Sequence, residues 1–185
     1  MTARGEIKHV DGEPTVSVII PVYNGEPYLA EAINSALQQT LSPEEIIVVD
    51  DGSLDDTRKI ASSFASRIRY FFQENAGAAA ARNTGVMAAT GNYLSFLDSD
   101  DLWMPDKLER QLDCFAADPS LDVVFGHARQ FLCPRMTGRP EALAPVNLEP
   151  MPTQMPSAMF VRRTAFFRVG LFRTDLRIAD CIDWY

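Results

Sequence analysis

Cysteine, histidine and basic residues are all in short supply in this chain, and each shortage excludes something. Of 185 residues only three are cysteine, Cys114, Cys133 and Cys181. Their odd number and wide spacing match neither a disulfide framework nor a zinc site, so free thiols in a reducing cytoplasm are expected. The two histidines, His9 and His127, are isolated and offer no metal-ligand pair. Seventeen Lys and Arg against 25 Asp and Glu leave a net charge of −8, with no basic stripe to grip a phosphate backbone, so no nucleic-acid partner is expected. No apolar run approaches the roughly 18 residues of a membrane span, and no secretory signal opens the sequence. These absences predict a cytoplasmic protein, at most peripheral to the inner face of a membrane. The 46% hydrophobic content is ordinary for a globular chain of this length, enough for one domain with a buried core.

Short apolar runs alternate with amphipathic stretches through the first 117 residues. Val16–Ile20 reads as a fully buried strand stopped by Pro21, and Tyr23-Asn24-Gly25 as a turn. A helix from about Pro27 to Gln39 follows, with Leu29, Ile33, Ala36 and Leu37 on one face. Ile46–Val49 is the second strand, ended by Asp50-Asp51-Gly52-Ser53, and Asp55 or Asp56 can cap a helix to about Ser66. A strand over Ile68–Phe72, an Ala-rich helix to about Ala89 with Gly91 as its stop, and a strand ending at Asp98 come next. Pro105 suits the first turn of a further helix, in which Leu108, Leu112 and Phe115 share a face. Leu121–Phe125 reads as a strand, continued or paired through Ala128–Leu132. Six prolines from Pro134 to Pro156 predict a long loop. Ser157–Val161 reads as a strand, and Thr164 can cap a short helix ending at Gly170. The alternation predicts an α/β fold, a three-layer α/β/α sandwich around a mainly parallel, Rossmann-like sheet.

The stretch Tyr93-Leu94-Ser95-Phe96-Leu97-Asp98-Ser99-Asp100-Asp101 carries the most chemistry. A buried strand ends in three carboxylates, at the position where ligands sit in layered α/β folds. Clustered anions repel unless a cation joins them, and hard oxygen ligands suit Mg²⁺ or Mn²⁺ bridging substrate phosphates.

Four fragments, in order, resemble the family 2 glycosyltransferases of the A-type nucleotide-sugar-binding fold. They are Val18–Asn24; Val48–Ser53 with Asp56-Thr57; Asn75 and Gly77 followed by Ala81-Arg82-Asn83-Thr84-Gly85; and Asp98-Ser99-Asp100-Asp101 with Pro105. The resemblance covers roughly Val16–Phe115, with a weaker echo over Ser157–Tyr185. It implies that Pro21, Tyr23 and Asn24 line the nucleotide pocket, with Ser99 beside them. It implies that Asp51 accepts a hydrogen bond from the base, typically uracil, with Asp50 in the same cradle, and that Arg82 lies near the phosphates. Asp98 and Asp100 would be the DxD acids that bind Mn²⁺ or Mg²⁺. Relatives often carry the base in a Glu-Asp pair, which here reads Ala179-Asp180; Asp180 is the implied base, with Asp183 second.

Transfer of a sugar from a nucleoside diphosphate to a hydroxyl needs charge neutralisation on the leaving diphosphate, a base for the hydroxyl and a firmly held donor. The resemblance adds that the transfer inverts the anomeric centre. The expected partners are a nucleotide-diphosphate sugar donor and a sugar, lipid-linked or other hydroxyl acceptor, with a homodimer also open. Several residues have a plainer alternative: Asp50, Asp51 and Asp101 as helix caps, Arg82 as a solvated charge, Asn83 and Gly85 as helix packing. Trp103 reads as core-edge packing, with stacking on a sugar as its alternative. The expected division is a tail over 1–13, a nucleotide-sugar part over 14–117 and an acceptor-side part over 118–185, cut short at the C-terminus. A receiver domain is the wrong pattern, because its acid pair follows the first strand and here it follows the second. A catalytically inactive nucleotide-sugar-binding fragment stays open as the alternative function.

Overall fold

Seven consecutive buried residues, Val16–Val22, form the central strand β1, and burial on both of its faces dictates the layering. The computed structural model of the chain describes residues 13–131 and 148–175. Flanking β1 in parallel are β2 (Glu45–Asp50) and β4 (Tyr93–Phe96), and β3 (Arg69–Phe72) extends the sheet beyond β2. Two further strands, β5 (Val123–Phe125) and β8 (Met159–Arg162), complete a six-stranded sheet in the order β3-β2-β1-β4-β8-β5. Strand β8 runs antiparallel to both of its neighbours, pairing Leu94 with Val161 and Val124 with Phe160. The expected mainly parallel sheet is therefore present, with β8 as its reversed member.

Alternation along the strands divides the core in two. Val18, Ile20, Ile46, Val48, Tyr93 and Phe160 face helices α1 (Leu29–Leu37), α2 (Thr57–Ser62) and α4 (Lys107–Ala117). Ile19, Ile47, Leu94, Phe96 and Val161 face α3 (Ala78–Ala88) and α5 (Arg163–Val169), where Phe96, Phe166 and Phe172 pack with ring centroids 5.3–5.8 Å apart. The helices thus cover both faces, as the alternating pattern requires.

Several local expectations shift. The chain does not run on from β5, because Gly126 donates to the Ala158 carbonyl and β6 (His127–Ala128) leaves to pair with β7 (Met151–Pro152). The Pro-rich stretch thus contains a short strand in its described portion. A 3-10 turn over Pro156–Ala158 precedes β8, so the strand starts later than Ser157. Arg162, not Thr164, stands at the N-cap of α5. Asp56 occupies the N-cap of α2 with no side-chain capping bond, and it is Asp55 that accepts from the Thr57 N–H, at 3.0 Å. Gly91 has a role other than helix stop: a Cβ there would lie 2.7 Å from the Ser17 nitrogen, so only glycine lets this turn approach β1. Cys114 is a free, exposed thiol; Cys133, Cys181, the tail through Gly12 and residues 134–147 of the expected loop lie outside the described residues. Among the described residues no helix is long and apolar enough to cross a membrane.

The sheet end remote from the acidic strand end is tied by Glu45. Its carboxylate accepts from the Ser17 hydroxyl at 2.7 Å, from the Thr90 N–H at 2.7 Å and hydroxyl at 2.8 Å, and from Arg69. Burial pushes this carboxyl up, but the Thr90 N–H and the Ser17, Arg69 and Thr90 side chains outweigh it and bring it down to about 2. A depressed folded-state carboxyl stabilises above its unfolded value of 4.5 and loses that contribution as pH falls toward 2. Glu45→Gln is therefore expected to lower stability at pH 7 and to flatten the stability profile between pH ~4.5 and ~2. Urea melts across that range check this, and a variant curve parallel to wild type would refute it.

Candidate active site

The C-terminal ends of β1, β2 and β4 lie side by side, and a cavity of about 240 Å³ opens there. It is lined by Pro21, Val22 and Tyr23 from β1 and its exit, Asp51 from β2, and Ala78, Ala81 and Arg82 from the first turns of α3. Asp98, Ser99 and Asp100 close it from the β4 side. Parallel strands deliver their C-terminal ends to one edge, which explains how residues eighty positions apart in sequence converge.

Most of the expected site residues meet here: Pro21, Tyr23, Asp51, Arg82, Asp98, Ser99 and Asp100 all line the cavity. Asp50 and Asn24 are not among its lining residues. At a strand end successive side chains point to opposite sides, so Asp50 turns away from Asp51. Asp50 is buried, accepting from the Ser53 N–H at 2.8 Å and the Tyr70 hydroxyl at 2.6 Å. Burial pushes the Tyr70 hydroxyl up, and its bond to Asp50 adds to the push, so it stays a donor. Asn24 has a left-handed backbone, φ 52°, and accepts from the Leu54 N–H at 2.9 Å, joining two loops at the cavity rim. Asp180 and Asp183 lie outside the described residues.

Asp51 is held firmly. The Gln73 side chain donates to its Oδ1 at 2.7 Å, as does the Ala76 N–H at 3.0 Å, and the Gly77 N–H donates to Oδ2 at 2.8 Å. Gly52 has φ +83°, and a Cβ there would lie 2.9 Å from the Asn75 nitrogen, so glycine lets the 75–77 turn close over Asp51. Asp51 is thus a loop clamp as well as a cavity residue.

Arg82 is not a solvated charge. It is 5% exposed, and its guanidinium donates to Asp98 Oδ1 at 2.7 Å. One face of the cavity therefore carries a buried cation beside the acids. The Asp98 N–H donates to the Ser157 hydroxyl at 3.0 Å, and the Trp103 indole donates to the Ser157 carbonyl at 2.9 Å. Trp103 is 8% exposed, which settles it as core-edge packing. Lys107 lies 4.0 Å from its ring centre and donates to Ser95 Oγ and Gln111 Oε1 at 2.9 and 2.7 Å. Burial among these neutral partners pulls the Lys107 ammonium well below the ordinary lysine range.

Asp101 does not cap the next helix, which starts at Lys107 with Asp106 at its N-cap position. Burial pushes the Asp101 carboxyl up, the Ser157 hydroxyl opposes this, and the charges of Asp98 and Asp100 add to it. Three acids at one strand end thus repel one another, as expected. Among the described residues no group of three or more His, Cys, Asp or Glu side chains forms a complete metal cage. Asp98 and Asp100, two hard carboxylates beside an open cavity, are the donor type that would suit an Mg²⁺ or Mn²⁺ ion.

The sequence assigned no site role to Gln73, Thr84 or Ser157. Ser157 carries no local signal, because its role depends on a strand reaching Asp98 from far along the chain. Ala78 and Ala81 had one: small residues opening a helix after glycine allow a ligand to approach the backbone.

An uncharacterized glycosyltransferase of Rickettsia typhi is 37% identical to this chain over 93% of its length, and the chain spans 58% of that protein. S. aureus TarS residues 1–349, solved in complex with UDP, superposes with a TM-score of 0.70 at 24% identity, covering 92% of this chain and 53% of that one. The mannosyltransferase PcManGT of Pyrobaculum calidifontis, solved with GDP-Man and Mn²⁺, gives a TM-score of 0.67 at 25% identity, covering 92% of this chain and 51% of that one. The chain thus spans little more than half the length of these relatives. The profile of the glycosyl transferase family 2 domain matches residues 17–174, and the chain belongs to that family.

Proposed function

We propose that this chain is the donor-binding part of an inverting glycosyltransferase that moves a sugar from a nucleotide-diphosphate sugar, with UDP as the nucleotide, to an acceptor hydroxyl. The observation that carries this reading is the cavity flanked by Asp51 on one side and by Arg82, Asp98 and Asp100 on the other. That arrangement suits a nucleotide at one end and a charged leaving group at the other. Mn²⁺ or Mg²⁺ would be held by Asp98 and Asp100, where it would neutralise charge on the departing diphosphate. The Mn²⁺ in the Pyrobaculum relative supports that choice of metal.

The remaining work falls to the chain's own groups. Asp51 and Tyr23 hold the base end, so binding energy far from the reacting carbon orients the donor. Arg82 supplies a fixed positive charge beside the phosphates, positioned before substrate arrives. Asp180 takes the acceptor hydroxyl proton, with Asp183 as the second choice; the acceptor is a sugar, a lipid-linked glycan or another hydroxyl compound.

The test uses the protein with UDP-sugars and Mn²⁺. Calorimetry should show UDP binding that disappears with a chelator, and Asp180→Asn should keep that binding while lowering transfer or donor hydrolysis by about a hundredfold or more. Full turnover in the variant would remove Asp180 from the base role. Metal-dependent UDP binding without any turnover in the wild type would favour the binding-only alternative.

A further inference from the structure

The groups behind Asp51 extend the donor reading and rest on it. A carboxylate offers roughly four acceptor positions on its two oxygens. In Asp51 three are filled from within the fold: two on Oδ1, by Gln73 Nε2 and the Ala76 N–H, and one on Oδ2, by the Gly77 N–H. The fourth, on Oδ2, is left for a ligand, because Asp51 lines the cavity although only 3% exposed. A group meeting that position has to bring a hydrogen. A bare ring nitrogen there would set one lone pair against another, and unmade hydrogen bonds to buried groups are costly.

The side chain that orients Asp51 is itself oriented. Thr84, in the middle of α3, donates its hydroxyl to Gln73 Oε1 at 2.6 Å. That bond fixes which end of the Gln73 amide faces Asp51, since the reversed amide would place Oε1 against a carboxylate oxygen. Helix α3 therefore reaches Asp51 twice, through the Gly77 N–H at its start and through Thr84 and Gln73 farther along.

We infer that Thr84 and Gln73 are positioning residues that set nucleobase selectivity, holding Asp51 so that it accepts only a base whose facing ring nitrogen carries hydrogen. Uracil, with hydrogen on N3, satisfies the remaining acceptor. Cytosine, with a lone pair on the same atom, does not. Such a site rejects the wrong partner by leaving a buried acceptor unpaired rather than by shape.

Titration calorimetry with UDP and with CDP, each with Mn²⁺, tests this on wild type, Gln73→Leu, Thr84→Val and Thr84→Ser. Wild type should bind UDP at least about tenfold more tightly than CDP. Gln73→Leu should weaken UDP about tenfold and leave CDP within about twofold, so that the preference collapses. Thr84→Val should lose part of the preference, and Thr84→Ser, which keeps the hydroxyl, should restore it. A general packing defect would weaken both nucleotides equally, and that result overturns the assignment, as does a Thr84→Ser that behaves like Thr84→Val. Wild type binding both nucleotides equally overturns the base selection while leaving the nucleotide-sugar reading intact. Wild type binding neither overturns that reading, and this inference with it.

Discussion

Asp100→Ala is expected to abolish Mn²⁺-dependent binding of nucleoside diphosphates, a loss of about a hundredfold or more, or about 2.8 kcal/mol. The reason lies in the charge arrangement. Asp98 already shares one oxygen with Arg82 at 2.7 Å, which leaves Asp100 the exposed acid with no ion pair among the described residues. Removing it would take away one of the two proposed metal ligands and leave Asp98 to serve both Arg82 and the ion. The fold should survive, since Asp100 sits at the cavity mouth and supports no core contact. Calorimetry of UDP with Mn²⁺ is the check, with a thermal melt to confirm folding. Unchanged affinity would place the metal elsewhere and undo the role given to this strand end.

Phe160→Ala should be the most damaging core substitution away from the ligands. Phe160 is 0% exposed, stacks on Tyr93 with ring centroids 5.2 Å apart and meets Phe115 at 5.6 Å. Truncation to alanine in such a setting costs about 3–5 kcal/mol, a large share of the ~5–15 kcal/mol that holds a typical domain together. The effect should reach the site as well, because Phe160 anchors the strand that follows Ser157, and Ser157 accepts from the Asp98 N–H. Urea unfolding should show the midpoint falling steeply, and a loss under ~1 kcal/mol would mean that the three rings collapse to fill the gap.

The first half of the fold was legible in the sequence because its signals are local. Continuous apolar runs such as Val16–Val22 declare strands buried on both faces, and acids directly after such runs mark the ligand edge. Asp98, Asp100, Asp51 and Arg82 were all accessible to that logic. The second half was not, because its rules are long-range. Nothing near Met159–Arg162 states that the strand runs backwards between β4 and β5, since its direction depends on partners 34 to 69 residues away. The same limit hid Ser157, Gln73 and Thr84, whose value lies in what they touch. It also hid the bond that the half-buried Tyr70 hydroxyl gives to the Asp50 carboxylate.

The reversed strand β8 also bears on the order of assembly. Strands β1 to β4 with their crossover helices occupy residues 16–96 and pair only among themselves and with β8. A nascent chain can lay down that parallel half first. Until residue 157 has left the ribosome, however, no hydroxyl is available to receive the Asp98 amide. The Asp51 end of the cleft is thus encoded early in translation and its acidic end is finished late, by a segment that must bridge a long intervening stretch at an entropic cost that grows slowly with length.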